Sequence, residues 1–140
     1  MTFKISKTLL RKMEEHALRS LPEECCGFLV GIREEAKEVS EVIESKNTVS
    51  TMRERRYTVD PLQFLRVEKD LYGSRREILG FYHSHPNAPA RPSQYDLEHA
   101  WPVYSYLIIS LSEQGTLDVA SWTLAEGDKE FRRENLVIVS

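Results

Sequence analysis

The apolar residues of this chain come in short, punctuated runs: "CGFLVGI" (26–32), "EILGFYHSH" (77–85), "YSYLIISL" (104–111), "LDVASWTL" (117–124) and "NLVIVS" (135–140). None approaches the ~20 residues that a membrane-spanning helix requires. Runs of this length between glycines, prolines and charges read as strands. "EVSEVIES" (38–45) alternates enough to add another, with one solvated face. Two helix starts are written between them. Ser6 can cap a helix whose Leu10, Met13, Ala17 and Leu21 recur at the spacing of one apolar face, with Pro22 as its stop. Asp60 followed by Pro61, with Gln63 three positions after the cap, opens a second helix. Phe64, Val67 and Leu71 form its apolar face, and Gly73 suits its end. Residues 47–56 show no period and read as loop, "RYTVD" (56–60) as a short extended piece, and Ser93 as the start of a third helix. The last two long runs join through a turn around Glu113–Thr116. Helices separated by strands, with that hairpin, predict an α/β sandwich with a mixed sheet.

At 140 residues the chain suits one domain, 1–140, able to bury a core without staples. A formal net charge of −3 shows no general preference for nucleic acid or an anionic membrane. Charges interrupt the N-terminal stretch "MTFKISKTLLRKMEEHA", which therefore does not read as a signal peptide, and a cytoplasmic setting is expected. The two cysteines, Cys25 and Cys26, are neighbours. Adjacent cysteines suit neither a disulfide framework nor the spacing of a zinc ribbon, so they are expected in the core as small hydrophobes.

The chemistry concentrates in "GFYHSHPNAPARPSQYDLEHAW" (80–101). Alternate residues of a strand share a face, so His83 and His85 point the same way, about 6.5–7 Å apart along the backbone. Pro86 ends the ladder, and the residues up to Pro92 can fold back to bring Asp96, in the first turn of a helix, against the imidazoles. Two neutral imidazoles and a carboxylate suit zinc and leave a fourth position for water. Ser93-x-x-Asp96 also reads as a capping pair, Ser93 at the N-cap and Asp96 at N3. His16 and His99 lie on helices without a partner pattern and read as surface or partly buried histidines.

"HSHPNAPARPSQYD" (83–96) resembles the signature of the JAMM (MPN-plus, Mov34/PAD-1) metallopeptidases, with its spacing unchanged. "ECCGFLVG" (24–31) is similar to that family's upstream glutamate segment, and the likeness runs from the first helix to "YSYLIISL". The resemblance implies a three-layer-like sandwich with a mixed, curved sheet flanked by helices, similar to cytidine deaminases. It further implies one zinc ion held by His83, His85 and Asp96. Glu24 takes the position of the general base. Ser93 suits a donor to the oxyanion of the tetrahedral intermediate better than a nucleophile. With its "PEECCG" opening (22–27) and little room for insertions, the chain looks like the small prokaryotic members. Those cleave after the Gly-Gly terminus of ubiquitin-like sulfur-carrier proteins, releasing cysteine or another adduct. A deubiquitinase-like isopeptidase and a metal-binding scaffold without catalysis are the alternatives, and the oligomeric state is open, a homodimer included. A zinc deaminase would need a P-C-x-x-C segment, which is absent. "RERR" (53–56) reads as a solvated loop or a dock for an acidic carrier, and Trp101 and Tyr104 as groove wall or core.

Overall fold

The computed structural model describes residues 1–124, 127 and 130–140. Its elements run β1 (Phe3–Ser6), α1 (Lys7–Ser20), β2 (Cys26–Arg33), β3 (Lys37–Ser45), α2 (Pro61–Leu71), β4 (Glu77–Pro86), α3 (Gln94–His99), β5 (Ser105–Ser112), β6 (Gly115–Leu124), β7 (Phe131–Glu134) and β8 (Leu136–Val139). The eight strands form one sheet in the order β7-β6-β5-β4-β2-β3-β1-β8. Pairing is parallel for β1 with β3, β1 with β8 and β4 with β5, and antiparallel elsewhere, so the sheet is mixed as expected.

The helices begin where the sequence puts them. The Ser6 side chain accepts from the Leu9 amide at 3.2 Å. Asp60 accepts from Leu62, and Ser93 and Asp96 form a reciprocal capping box. Gln63 differs from expectation: it does not reach back to its cap but donates to the Glu44 carbonyl at 2.7 Å, tying α2 to the end of β3. Gly73, at φ 81°, follows the end of α2 in the left-handed conformation that glycine tolerates. Strand β4 continues one residue further than expected, Pro86 still pairing with Leu111.

Alternation along β2 divides the core. Leu29 joins Leu10, Met13 and Ala17 of α1 on one face, together with Leu79, Leu107 and Ile109. Phe28 and Val30 join Val67 and Leu71 of α2 on the other, with Phe81 and Tyr106. The result is three layers, helix, sheet and helix, which bears out the sandwich. The β2–β4 register skips Leu79, and beyond that bulge Phe81, His83 and His85 share the α2 face. Gly27 pairs with Tyr82, and an added Cβ there would strike the Tyr82 ring and the Ile43 carbonyl, so only glycine lets that ring cross the sheet.

Strands β1 and β7 were not legible, whereas β8 falls within the run 135–140 read as a strand. β7 and β8 follow one another with only Asn135 between them, yet they are the opposite ends of the sheet. The sheet must therefore curl until its ends meet at that corner. There the Asn135 carbonyl accepts from the Phe3 amide at 2.8 Å. Lys37 of β3 donates to Glu134 of β7 at 2.7 Å and to Ser105 of β5 at 2.7 Å, while Ser121 donates to the other Glu134 oxygen. Both charges are buried, so each relies on the other across the curl. None of the described helices is long and apolar enough to cross a membrane.

Candidate metal centre

The antiparallel register that sets Cys26 opposite His83 carries Glu24, two residues upstream, towards His85. Cys25 fastens that approach: its amide donates to Ser84 Oγ at 2.8 Å and its carbonyl accepts from the Ser84 amide at 3.1 Å. On the other side, the connection from β4 to α3 is tied down in steps. Asn87 donates to the Leu111 carbonyl, Ser110 donates to the Ala88 carbonyl, and the Trp122 indole donates to the Ala90 carbonyl. These bonds bring the N-terminus of α3, and with it Asp96, back over the end of β4.

Three atoms then converge. His83 Nε2 and His85 Nε2 are 3.2 Å apart, and Asp96 Oδ2 stands 3.2 Å from the first and 3.1 Å from the second. His85 Nδ1 lies 2.9 Å from the Pro89 carbonyl, which can only accept, so the proton belongs on Nδ1 and the Nε2 lone pair faces the cluster. Asp96 Oδ2 also accepts from the Ser93 amide at 2.9 Å. The capping pair and the converging carboxylate, which the sequence offered as rival readings, are one arrangement. One carboxylate oxygen of Glu24 and one ring nitrogen each of His83 and His85 lie within 4.8 Å of one another, a buried group able to hold a metal ion. The nearest Glu24 approach is 4.0 Å, from Oε2 to His85 Nε2.

The donor set fits a cation. Among the described residues Glu24 Oε1, Asp96 Oδ1 and His83 Nδ1 are buried without a hydrogen-bond partner, and for the two carboxyl groups that is unfavourable unless a cation is held nearby. Ligands about 2.0–2.1 Å from a tetrahedral ion stand about 3.3–3.4 Å apart, close to the spacing of the two nitrogens and Oδ2. Burial lowers the His83 pKa despite the pull of Asp96, keeping the ring in its neutral, ligating form. Burial opposes ionisation of Asp96, but His83, His85 and the Ser93 amide outweigh it and hold the carboxyl well below its usual range. Glu24 goes the other way: burial, then the Asp96 charge, push it up to about 9.

Ser93 sits beside these groups as the N-cap. Its Oγ accepts from the Asp96 amide at 3.1 Å, which leaves the hydroxyl proton free to donate. Cys25 and Cys26 are buried and unpaired, their thiols pushed up to about 12 by burial, which suits core packing and not a thiolate nucleophile. His16, expected at the surface or partly buried, is buried with Nδ1 2.8 Å from the Tyr82 hydroxyl. His99 is exposed and stacks on Tyr95.

Sequence reasoning missed Tyr57. Its ring stacks on His83 at 4.2 Å and 20°, closing one side of the cluster. Nothing in "RYTVD" announces this, because the contact is made by tertiary folding. Beyond it, Tyr57, Val59, Phe64, Tyr95, Trp101 and Tyr104 line an apolar groove of about 650 Å³ that reaches Asp96. Trp101 is 68% exposed, so it is groove wall and not core. Within "RERR", Arg53 and Arg55 are exposed while Arg56 lies over the Tyr95 ring at 4.6 Å.

Comparison with known proteins agrees with this geometry. Residues 6–125 match the family described as prokaryotic homologs of the JAB domain. The chain is 33% identical over 132 residues to a desampylase of Haloferax volcanii, covering 94% of this chain and 89% of that protein. It is 36% identical over 126 residues to a probable TtuB-protein conjugate cleaving protease of Thermus thermophilus, covering 89% and 78%. A solution structure of a Desulfitobacterium hafniense protein superposes with a TM-score of 0.83 at 32% identity, covering 99% and 92%.

Proposed function

From the premise that the chain belongs to the family of prokaryotic JAB-domain homologs, we propose that residues 1–140 form one catalytic domain that hydrolyses the bond after the C-terminal Gly-Gly of a ubiquitin-like sulfur-carrier protein. His83, His85 and Asp96 would hold a single zinc ion, and Glu24 and Ser93 would act on the reacting atoms. The observation that carries this reading is the spacing of His83 Nε2, His85 Nε2 and Asp96 Oδ2 at 3.1–3.2 Å, with a Glu24 oxygen further out at 4.0 Å. That extra distance suits a group that would handle a water proton better than it suits a further ligand. Zinc supplies Lewis acidity, making water a nucleophile near neutral pH and polarising a carbonyl.

The chain's own residues do the rest. Glu24, buried beside the ligands and ionised once a cation offsets the burial and the Asp96 charge that raise its pKa, accepts the proton of the attacking water and returns it to the leaving amine. Ser93 donates its free hydroxyl proton to the developing oxyanion. The groove beside Asp96 takes the extended tail, and its aromatic lining keeps water from the bond. Glycine suits the tail because any Cβ would press on these walls as the backbone nears the ion. The relatives' names, a desampylase and a protease of TtuB–protein conjugates, support a protein-conjugate substrate. The two unpaired cysteines suit the reducing cytoplasm, where we expect the protein to act.

The test is mass spectrometry of carrier adducts after incubation with zinc-loaded protein. Wild type should release the adduct, chelated protein should not, Glu24→Gln should lose most of its turnover, and an alanine at the penultimate tail position should slow release sharply. Equal cleavage of both tails would refute the groove. Cleavage of ubiquitin chains without cleavage of carrier adducts would move the protein to the deubiquitinases.

A further inference from the structure

Glu24 lies ahead of β2, outside any strand, so no ladder of sheet bonds fixes its backbone. Two bonds from the loop 47–59 do so instead. The Glu24 amide donates to the Arg53 carbonyl at 2.8 Å, and the Glu24 carbonyl accepts from Asn47 Nδ2 at 3.1 Å.

The Asn47 amide is used to its full capacity. Nδ2 also donates to the Arg56 carbonyl at 3.0 Å, and Oδ1 accepts from the Val49 amide at 3.2 Å and the Thr58 amide at 3.1 Å. Its contacts with Arg56 and Thr58 grip the peptide groups on either side of Tyr57, the residue whose ring lies against His83. One side chain therefore spans the carboxylate that carries the proton and the ring that covers a ligand. Only a primary amide offers two donors on one edge and two lone pairs on the other. Aspartate would turn the donating edge into an acceptor facing two carbonyls.

We propose that Asn47 is a positioning residue: it sets Glu24 against the metal ligands and holds Tyr57 over His83. The proposal rests on the reading of Glu24 as the proton carrier. Its energetic logic is that of orientation, where a misplacement of about 1 Å can cost roughly 10²-fold in rate. Asn47 contacts none of the ligand side chains, so zinc stoichiometry should be spared, whereas its bonds to Thr58 and Val59 join it to the groove wall.

Asn47→Ala and Asn47→Asp test it, with Thr48→Ala as a control that removes another hydrogen bond of the same loop, to the Thr58 carbonyl. The first readout is the His83 Cε1–H signal in the proton–carbon NMR spectrum of metal-free protein, displaced by the ring current of Tyr57. In both Asn47 variants it should move towards its position in Tyr57→Leu, and in Thr48→Ala it should stay. The second is kinetic: kcat should fall by about 10²-fold with zinc retained, whatever change in KM follows from the shifted groove wall. In a Glu24→Gln background the Asn47 substitutions should slow the reaction no further, because the group they misplace is already disabled. An unmoved His83 signal overturns the hold on Tyr57. An equal fractional loss of rate in the Glu24→Gln background, or a change confined to KM, overturns the action through Glu24. A wild type without turnover, or a Glu24→Gln protein as fast as wild type, overturns the assignment of Glu24 itself, while the His83 signal still decides the hold on Tyr57.

Discussion

Replacing Glu24 by glutamine should stabilise the metal-free protein at neutral pH while disabling the reaction. Burial, and then the Asp96 charge, raise the Glu24 pKa from 4.5 to about 9. Between those values the folded chain keeps a proton that the unfolded chain has released, so stability falls as pH rises. Each pH unit in that window removes about 1.4 kcal/mol, and from about pH 5 to about pH 7.5 the loss is about 3 kcal/mol. Glutamine keeps the shape and cannot ionise. Urea unfolding of both proteins in chelator should give similar stabilities near pH 5 and an advantage of about 3 kcal/mol to Glu24→Gln near pH 7.5. Other groups, His83 among them, also titrate across this range, but they are common to both proteins and cancel in the difference. Saturating zinc, which favours the carboxylate, should flatten the wild-type slope. A wild-type slope no steeper than that of Glu24→Gln in chelator would refute the reasoning, because the carboxyl would then be as easily ionised folded as unfolded.

His83→Ala and Asp96→Ala should each lose bound zinc by elemental analysis, whereas full retention in both would sink the ligand assignment. Ser93→Ala should keep its zinc, slow turnover by roughly 10²–10³-fold through the lost oxyanion donor and cost about 1 kcal/mol in the thermal melt through the lost cap. Lys37→Met should destabilise the fold by about 3–5 kcal/mol, because it strands the buried Glu134 carboxylate. Pairing it with Glu134→Leu should recover most of that loss, and denaturant melts of the single and double variants would show whether it does.

The candidate site residues were legible because a metal ion narrows which side chains can bind it. Imidazoles two apart on a strand, or a carboxylate at the third position of a capped helix, are each weak alone and speak only in combination, and Glu24 was placed only by the resemblance of "ECCGFLVG". The helices were legible through Ser6, Asp60-Pro61 and Ser93, since capping is a local matter. What stayed hidden is held by distant partners. Phe3–Ser6 is a strand because β3 and β8 flank it, and four residues running straight into a helix cap carry too short an alternation to announce it. Phe131–Glu134 has two arginines in its middle, and its place is fixed by Ser121, Lys37 and the β6 ladder. Gln63 looked like a capping partner but was claimed by the Glu44 carbonyl, and His16 was drawn inside by a tyrosine 66 residues away. Tyr57 and Asn47 belong to a loop without periodicity, whose order comes from side-chain hydrogen bonds that no pattern of hydrophobicity encodes.

The corner at Asn135 also imposes an order on synthesis. Strand β1 finds β3 as soon as Lys37 emerges, but its second neighbour, Leu136–Val139, is made about a hundred residues later. Throughout that interval the nascent chain carries an open edge beside Phe3 and Ile5, both of which end in the core. An unpaired edge of this kind is a template for another chain. The protein should therefore be most prone to aggregate while incomplete, and variants that weaken β8 should lower soluble yield more than they lower the activity of the molecules that do fold.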